Sequence, residues 1–545
     1  MNKKPSIKVE KELVANWQTL RRIFISPENE ASRSVLVKYM RQILFGLHEF
    51  LNTHVGVTKP ESLKDMSNRF RSTVIKDNPE KKLEEVITDL IEDIAPHAVN
   101  VASPYFIGHM TSAIPFFMVH LKTIVTALNQ NVVKLETSKV VSVIEKQVLA
   151  KIHRLFYGKD EDFYDMHVQD TQTTLGCFVE DGTLANITAL WIARDQLLLP
   201  TNGFKGVEKD GLHAAYKAYG IDRCVILVSR LCHFSLRKAG GLLGIGNENV
   251  IAVDVDKNNR IDLNALKKTI ESIRKDKKVK TKIISIVGIA GTTETGTIDP
   301  LYDLGQICKK EGIYFHIDAA WGGPTIMSSK YKHLLYGIEL ADSITVDGHK
   351  QLFMPMTCGM VYFNNPKIMD HVIYHAKYVN RPGSVDLGIK SIAGSREACS
   401  LILDSALKII GKQGYALLID HGIETAKKFA KEINKRQDFQ LITPPELNIL
   451  TYRVCPVDIQ QKLVTSDDKQ KRRVNDQLNE INRSIQIMQR EAGNSFVSRT
   501  TLYLDNNGKN DLVVLRCVIM NPMTNMKILN KILDEQEQIY KDNFT

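Results

Sequence analysis

Ile313-Tyr314-Phe315-His316-Ile317 runs without a break into Asp318-Ala319-Ala320-Trp321-Gly322-Gly323. The first five residues are apolar but for one histidine, and such a run suits a strand buried on both faces of a sheet. Asp318 ends it and would emerge at the sheet's carboxyl edge, where ligands gather in open α/β folds. A second run behaves alike: Ser343-Ile344-Thr345-Val346 leads into Asp347-Gly348-His349-Lys350. The stretch between Asp318 and Lys350 has room for one crossover unit, which would bring acid and amine to one edge.

Further apolar runs at 224–228, 283–287 and 359–363 extend the pattern, with helical spacing between them at 263–273 and 301–311. The expectation is an α/β fold with a mainly parallel central sheet. Up to about residue 105 the chain reads as helices, with apolar residues at helical spacing over 35–51 and 83–94. Beyond about 400, helical stretches at 401–410 and 423–433 precede strand candidates at 450–454 and 513–519, a smaller α+β portion. The charged segment 465–477 reads as a solvated insertion. The expected domains are a helical arm, 1–105, a large domain, 106–395, and a small C-terminal domain, 396–545.

The chain has 545 residues, enough for two or three domains, and 43% hydrophobic with 25% charged residues is a globular composition. Its net charge of +10 is spread over lysine-rich segments such as 275–282 and 469–473, so it reads as solvated surface rather than a nucleic-acid face. The charged segment 1–11 has no apolar core, which argues against a secretory signal. His120 and Lys122 interrupt the most apolar long stretch, 113–128, and argue against a membrane span. The eight cysteines form no CxxC pair. Reduced thiols, a cytoplasmic location and no bound metal are expected.

A carboxylate at a buried strand end needs a partner. A protonated heterocyclic nitrogen would serve Asp318, and holding that proton makes the ring a better electron sink. Ala320 is small enough for a flat ring to lie against the backbone. Read alone, Asp318 suits a helix N-cap or a structural ion pair as well. Lys350, partly desolvated, would be a usable nucleophile for a Schiff base, although most lysines are merely solvated. His349 beside it could donate to a phosphate. Glu180-Asp181-Gly182-Thr183-Leu184-Ala185-Asn186 precedes an apolar helix, so Gly182 and Thr183 could seat an anion; ordinary capping by Asp181 or Thr183 is the other reading. His233, after the run at 224–228, could stack on a planar cofactor or serve structurally. The glycines at 240, 241, 244 and 246 do not make GxGxxG, which argues against a dinucleotide site.

In chain order, Pro104-Tyr105-Phe106, Asn129-Gln130-Asn131, Asp181-Gly182-Thr183, His233 with Lys238-Ala239-Gly240, and Gly291-Thr292-Thr293 are followed by His316-Ile317-Asp318-Ala319-Ala320 and His349-Lys350. Gly394-Ser395-Arg396, Ser495-Phe496-Val497-Ser498-Arg499-Thr500 and Leu515-Arg516 complete the set. Together, from about Ser103 to the C-terminus, they resemble the group II decarboxylases of amino acids that depend on pyridoxal 5'-phosphate (PLP), a fold-type I family. The resemblance implies a PLP enzyme with the cofactor held on Lys350, Asp318 on its ring nitrogen, His233 stacked on the ring and Ala320 behind it. It also implies Gly182, Thr183 and His349 at the phosphate, Thr292 near the ring substituents, and Arg516 gripping a substrate carboxylate.

Asp-Gly-His-Lys-Gln at 347–351 and the run at 490–500 are most similar to the bacterial aspartate 1-decarboxylases that make β-alanine, with glutamate decarboxylase the near neighbour. The implied substrate is a small acidic amino acid. Where animal glutamate enzymes have a glutamine after the aromatic pair, this chain reads Ile107-Gly108-His109, so His109 is either a second contact for the distal carboxylate or structural. Many relatives carry a proton-donating loop tyrosine near the position of Val385; here Tyr378, His375, His233 or water would substitute. The family's dimers imply a homodimer, with the N-terminal arm swapped. The rival readings are another PLP reaction such as amino transfer, and a non-catalytic nucleic-acid binder.

Overall fold

The computed structural model describes residues 16–17, 30–53, 58–374, 386–503 and 511–544. The chain divides into two compact units, Met1–Phe106 with Ile487–Phe496, and Ile107–Gln486 with Val497–Thr545. The first unit is helical, with helices at Glu30–Thr53, Leu63–Arg69 and Leu83–Asp89. Within it the Phe106 and Phe496 rings stack with centroids 5.1 Å apart.

The second unit contains both sheets. Seven strands, β1 (Gly176–Val179), β2 (Arg223–Ser229), β3 (Val250–Val253), β4 (Thr281–Ile289), β5 (Tyr314–Asp318), β6 (Ser343–Asp347) and β7 (Gly359–Phe363), stand in the order β1-β7-β6-β5-β4-β2-β3. The pairs among β2 to β6 are parallel, and β7 runs antiparallel to both its neighbours. The expected α/β architecture is present, with β5 and β6 buried throughout. Alternation across the pleat sorts their side chains. Phe315, Ile317, Ile344 and Val346 join one apolar cluster, while Tyr314 joins another that includes Ala185, Ala189 and Leu190 of the Gly182–Leu197 helix.

A second, antiparallel sheet orders β8 (Phe439–Thr443), β9 (Ile449–Val454), β10 (Ser498–Tyr503) and β11 (Asp511–Val518) as β10-β11-β9-β8. The segment 465–477 is largely solvent-facing, as its charge predicts, with Val474 its buried residue. Most of it belongs to a helix, Asp468–Ala492, because Val474, Leu478, Ile481 and Ile485 recur at helical spacing and are buried. The helical stretches 401–410 and 423–433 belong to one element, Cys399–Lys435, interrupted at Gly411, whose φ of 68° is non-helical. Among the described residues, no helix is long and apolar enough to cross a membrane. No group of three or more His, Cys, Asp or Glu there is placed to hold a metal ion.

Candidate active site

Asp318 ends β5, and Lys350 follows the end of β6 after a short turn. The two strands are neighbours in register, with Asp318 opposite Thr345. Acid and amine therefore line one cavity, together with Asp181, Gly182, Thr183, Asn186, His233 and Ala320. The Lys350 Nζ lies 2.9 Å from Oδ2 of Asp347, whose side chain is 4% exposed. The Asp318 carboxylate accepts bonds from the Asn186 amide nitrogen at 2.9 Å and the Ala320 N–H at 3.2 Å. It is not an N-cap.

Asp181 caps the Gly182–Leu197 helix, its Oδ1 accepting from the Leu184 N–H at 2.9 Å. Gly182 and Thr183 thus present the positive end of a long helix to the cavity. A Cβ on Gly182 would sit 2.7 Å from Asp347 Oδ2 and 3.2 Å from the Ala320 Cβ, so only glycine allows this approach. His349 is buried, with Nδ1 seated on the Cys358 backbone and Nε2 3.8 Å from Asp347 Oδ2. His233 caps the Phe234–Leu242 helix, its Nδ1 accepting from the Ser235 N–H at 3.4 Å, and burial lowers its pKa.

Thr292 is placed otherwise. The residue is 1% exposed and its hydroxyl is engaged with the Thr295 and Thr297 hydroxyls at 2.6 and 3.2 Å; Thr293, next to it, lines the cavity. Arg516 is buried and donates from Nε to the Thr293 carbonyl at 2.5 Å, and from Nη1 to the Gly108 carbonyl at 3.2 Å and the Ser498 hydroxyl at 3.0 Å. Burial pulls its pKa down to about 10, against the opposing charge of Glu294. His109 keeps an exposed face. Partial desolvation, then the nearby charges of Arg516, Lys350 and His349, lower its pKa. Val385, Tyr378 and His375 lie outside the described residues.

The sequence profile of the pyridoxal-dependent decarboxylase conserved domain matches residues 65–455. The chain belongs to the pyridoxal-dependent decarboxylases. It is 43% identical to the aspartate 1-decarboxylase of Aliivibrio fischeri over 96% of this chain and 95% of that one. It is 28% identical to the L-2,4-diaminobutyrate decarboxylase of Acinetobacter baumannii over 69% of this chain and 72% of the other. Its fold is shared with the glutamate decarboxylase domain of a Vibrio parahaemolyticus diaminobutyrate-pyruvate transaminase and L-2,4-diaminobutyrate decarboxylase. The TM-score there is 0.78 at 20% identity, over 97% of this chain and 100% of that domain. This is a PLP-dependent amino-acid decarboxylase of fold-type I.

PLP requires an amine for its aldehyde, an acid for its ring nitrogen, a seat for its phosphate and flat space between them. This decarboxylase has all four at one cavity, and two local observations match them. Asp347 Oδ1, beside Lys350, is buried with no hydrogen-bond partner among the described residues. The helix start is packed so closely that Gly182 leaves no space for a side chain. The residues present fit the cofactor.

Asn186 and Asp347 also stand at the cavity, and neither is among the site residues expected from sequence. Asn186 was detectable as a polar residue on the apolar face of a helix. Asp347 belongs to the same strand-end run as Lys350.

Proposed function

We propose that this decarboxylase removes the α-carboxylate of L-aspartate, releasing CO2 and forming β-alanine. The observation that carries the reading is the meeting of Lys350 and Asp318 at one cavity at the carboxyl ends of adjacent strands. The choice of aspartate is supported by likeness to the Aliivibrio fischeri enzyme over almost the whole chain.

In this reading Lys350 holds the cofactor covalently and Asp318 keeps a proton on its ring nitrogen. His233 stacks on the ring and Ala320 packs behind it. Gly182, Thr183 and His349 seat the phosphate with backbone and imidazole donors. When bound, PLP accepts the electron pair left at Cα as CO2 departs. The protein orients the leaving carboxylate and excludes water. Arg516 grips a substrate carboxylate with its planar fork, already tethered by three bonds, and His109 is a second contact nearby. We assign the ring-substituent contact to Thr293 in place of Thr292, whose hydroxyl is occupied. Of the side chains that could return a proton to Cα, His233 is at the cavity among the described residues.

The proposed organisation is an arm, 1–105, a cofactor domain, 106–395, and a small domain, 396–545, in a cytoplasmic homodimer. Exposed apolar residues on the Phe116–Leu128 helix, Phe116 at 79% and Ile124 at 54%, support a covered face there.

The test is a side-by-side assay of CO2 and amine products from aspartate, glutamate, cysteine sulfinate and aromatic amino acids. Aspartate should give the highest kcat/KM. Preference for an aromatic substrate, or a keto acid product without CO2, would overturn the reading. Lys350→Ala should lose the covalently held chromophore and nearly all turnover.

A further inference from the structure

On β5, side chains two residues apart share a face, so His316 and Asp318 both face the Gly182–Leu197 helix. Asn186, in that helix, touches both. Its Nδ2 is 2.9 Å from Asp318 Oδ2 and 3.0 Å from the Ser235 hydroxyl, and its Oδ1 is 2.9 Å from His316 Nε2. On the far side, His316 Nδ1 is 2.8 Å from the hydroxyl of Ser343, its register partner on β6.

The chemistry of the groups sets the direction of every bond. Turning the amide over would place its oxygen against the Asp318 carboxylate, so Nδ2 donates to both Asp318 and Ser235. Asn186 Oδ1 can only accept, which puts the imidazole proton on Nε2. Burial holds the His316 pKa near 4, so the ring is neutral and its Nδ1 accepts from Ser343. Donors therefore run one way, from Ser343 through His316 and Asn186 to Asp318. All three supporting side chains are at most 1% exposed. An imidazole bonded directly to the carboxylate could take its proton. The amide between them cannot.

We propose that Asn186 and His316, backed by Ser343, are positioning residues that hold Asp318 as an oriented anion and keep the cofactor's ring-nitrogen proton from passing into the interior. The inference rests on the reading of Asp318 as partner of that nitrogen. The other titratable groups around the carboxylate are Cys232 and His233 after β2, Asp181 at the helix start, Asp347 at the end of β6, and His349 and Lys350 after it. Burial pushes the Cys232 thiol to about 12, outside the working range.

The experiment reads the 15N chemical shift of ring-labelled cofactor in the holoenzyme across roughly pH 6 to 9, with kcat and KM alongside. The wild-type nitrogen should stay protonated throughout. Asn186→Leu removes the donor to Asp318, so the nitrogen should turn pyridine-like within that range. Its kcat should fall about 10- to 100-fold while KM changes by about twofold or less. His316→Leu should act in the same direction, and His316→Gln, which keeps a donor for Asn186, should keep the nitrogen mostly protonated, as in the wild type. Ser343→Ala, at the far end, is the mildest change and must shift the titration the same way.

A nitrogen that stays protonated in both leucine variants overturns the inference, even where they melt earlier. Should Asn186→Leu not fold, an unshifted titration in Ser343→Ala overturns it equally. Asp318→Asn separates the two layers. If that variant also keeps the proton, the reading of Asp318 fails; if it loses the proton while Asn186→Leu retains it, only the positioning chain fails.

Discussion

His153 is buried with its Nδ1 2.9 Å from the Tyr164 hydroxyl and its Nε2 3.0 Å from the Phe363 carbonyl oxygen. These partners suit a neutral ring that donates from Nε2 and accepts at Nδ1, and desolvation holds its pKa near 4. The unfolded chain, with an ordinary histidine pKa near 6.5, binds a proton that the fold refuses between those two values. Stability should therefore be full above about pH 6.5 and decline on acidification toward pH 4, by up to the order of 3 kcal/mol from this residue. Denaturation midpoints of the apoprotein across that range should drop with pH, and His153→Gln should flatten the slope. An unchanged slope would show that other groups govern the acid limit. At this same scale, Asp318, Lys350, His349 and Gly182 were legible because each ends an apolar run or opens a helix. Thr292 was not separable from Thr293, because the choice between adjacent threonines depends on a turn containing Gly291 and Gly296 at φ 99° and 71°.

The Gly182–Leu197 helix is packed against β6 and β7 so tightly that its entrance is set by glycines on both sides. A Cβ on Gly359 would lie 2.5 Å from the Asp181 carbonyl carbon, and one on Gly182 2.7 Å from the Asp347 carboxylate. Gly182→Ala should displace the helix start from the cofactor seat. The variant should fold, and its apoprotein should bind PLP at least about tenfold more weakly, since donors at a helix N-terminus act only at close range. Equilibrium titration of the apoprotein with PLP measures this; wild-type affinity would remove Gly182 from the phosphate seat. Elements with a strong period were legible: the predicted strand at 359–363 coincides with β7 and the predicted helix at 301–311 with Leu301–Glu311. Where charge masked the period, as in the helix Asp468–Ala492, the apolar stripe of Val474, Leu478 and Ile481 was visible only over a longer window.

At the scale of the whole molecule, the Phe116–Leu128 helix leaves Phe116, Ile124 and Leu128 exposed at 79, 54 and 47%. A dimer that covers them would gain apolar burial in proportion to the area removed from water. Sedimentation should give twice the 61.6 kDa chain mass, and Phe116→Glu with Ile124→Glu should shift the equilibrium toward monomer. A dimer unmoved by those charges would place the interface elsewhere. The order of apolar runs and the residues that close them were enough to determine a parallel α/β sheet with an acid and an amine at its edge, because burial on two faces and strand polarity are written in local composition. Only the tertiary structure decided that Asn186 and His316 stand behind Asp318, that Asp347 meets Lys350, and that Thr293 rather than Thr292 faces the cavity. The Asn186 contacts join a helix to a strand far along the chain, and such meetings are set by packing and register, which no local pattern records.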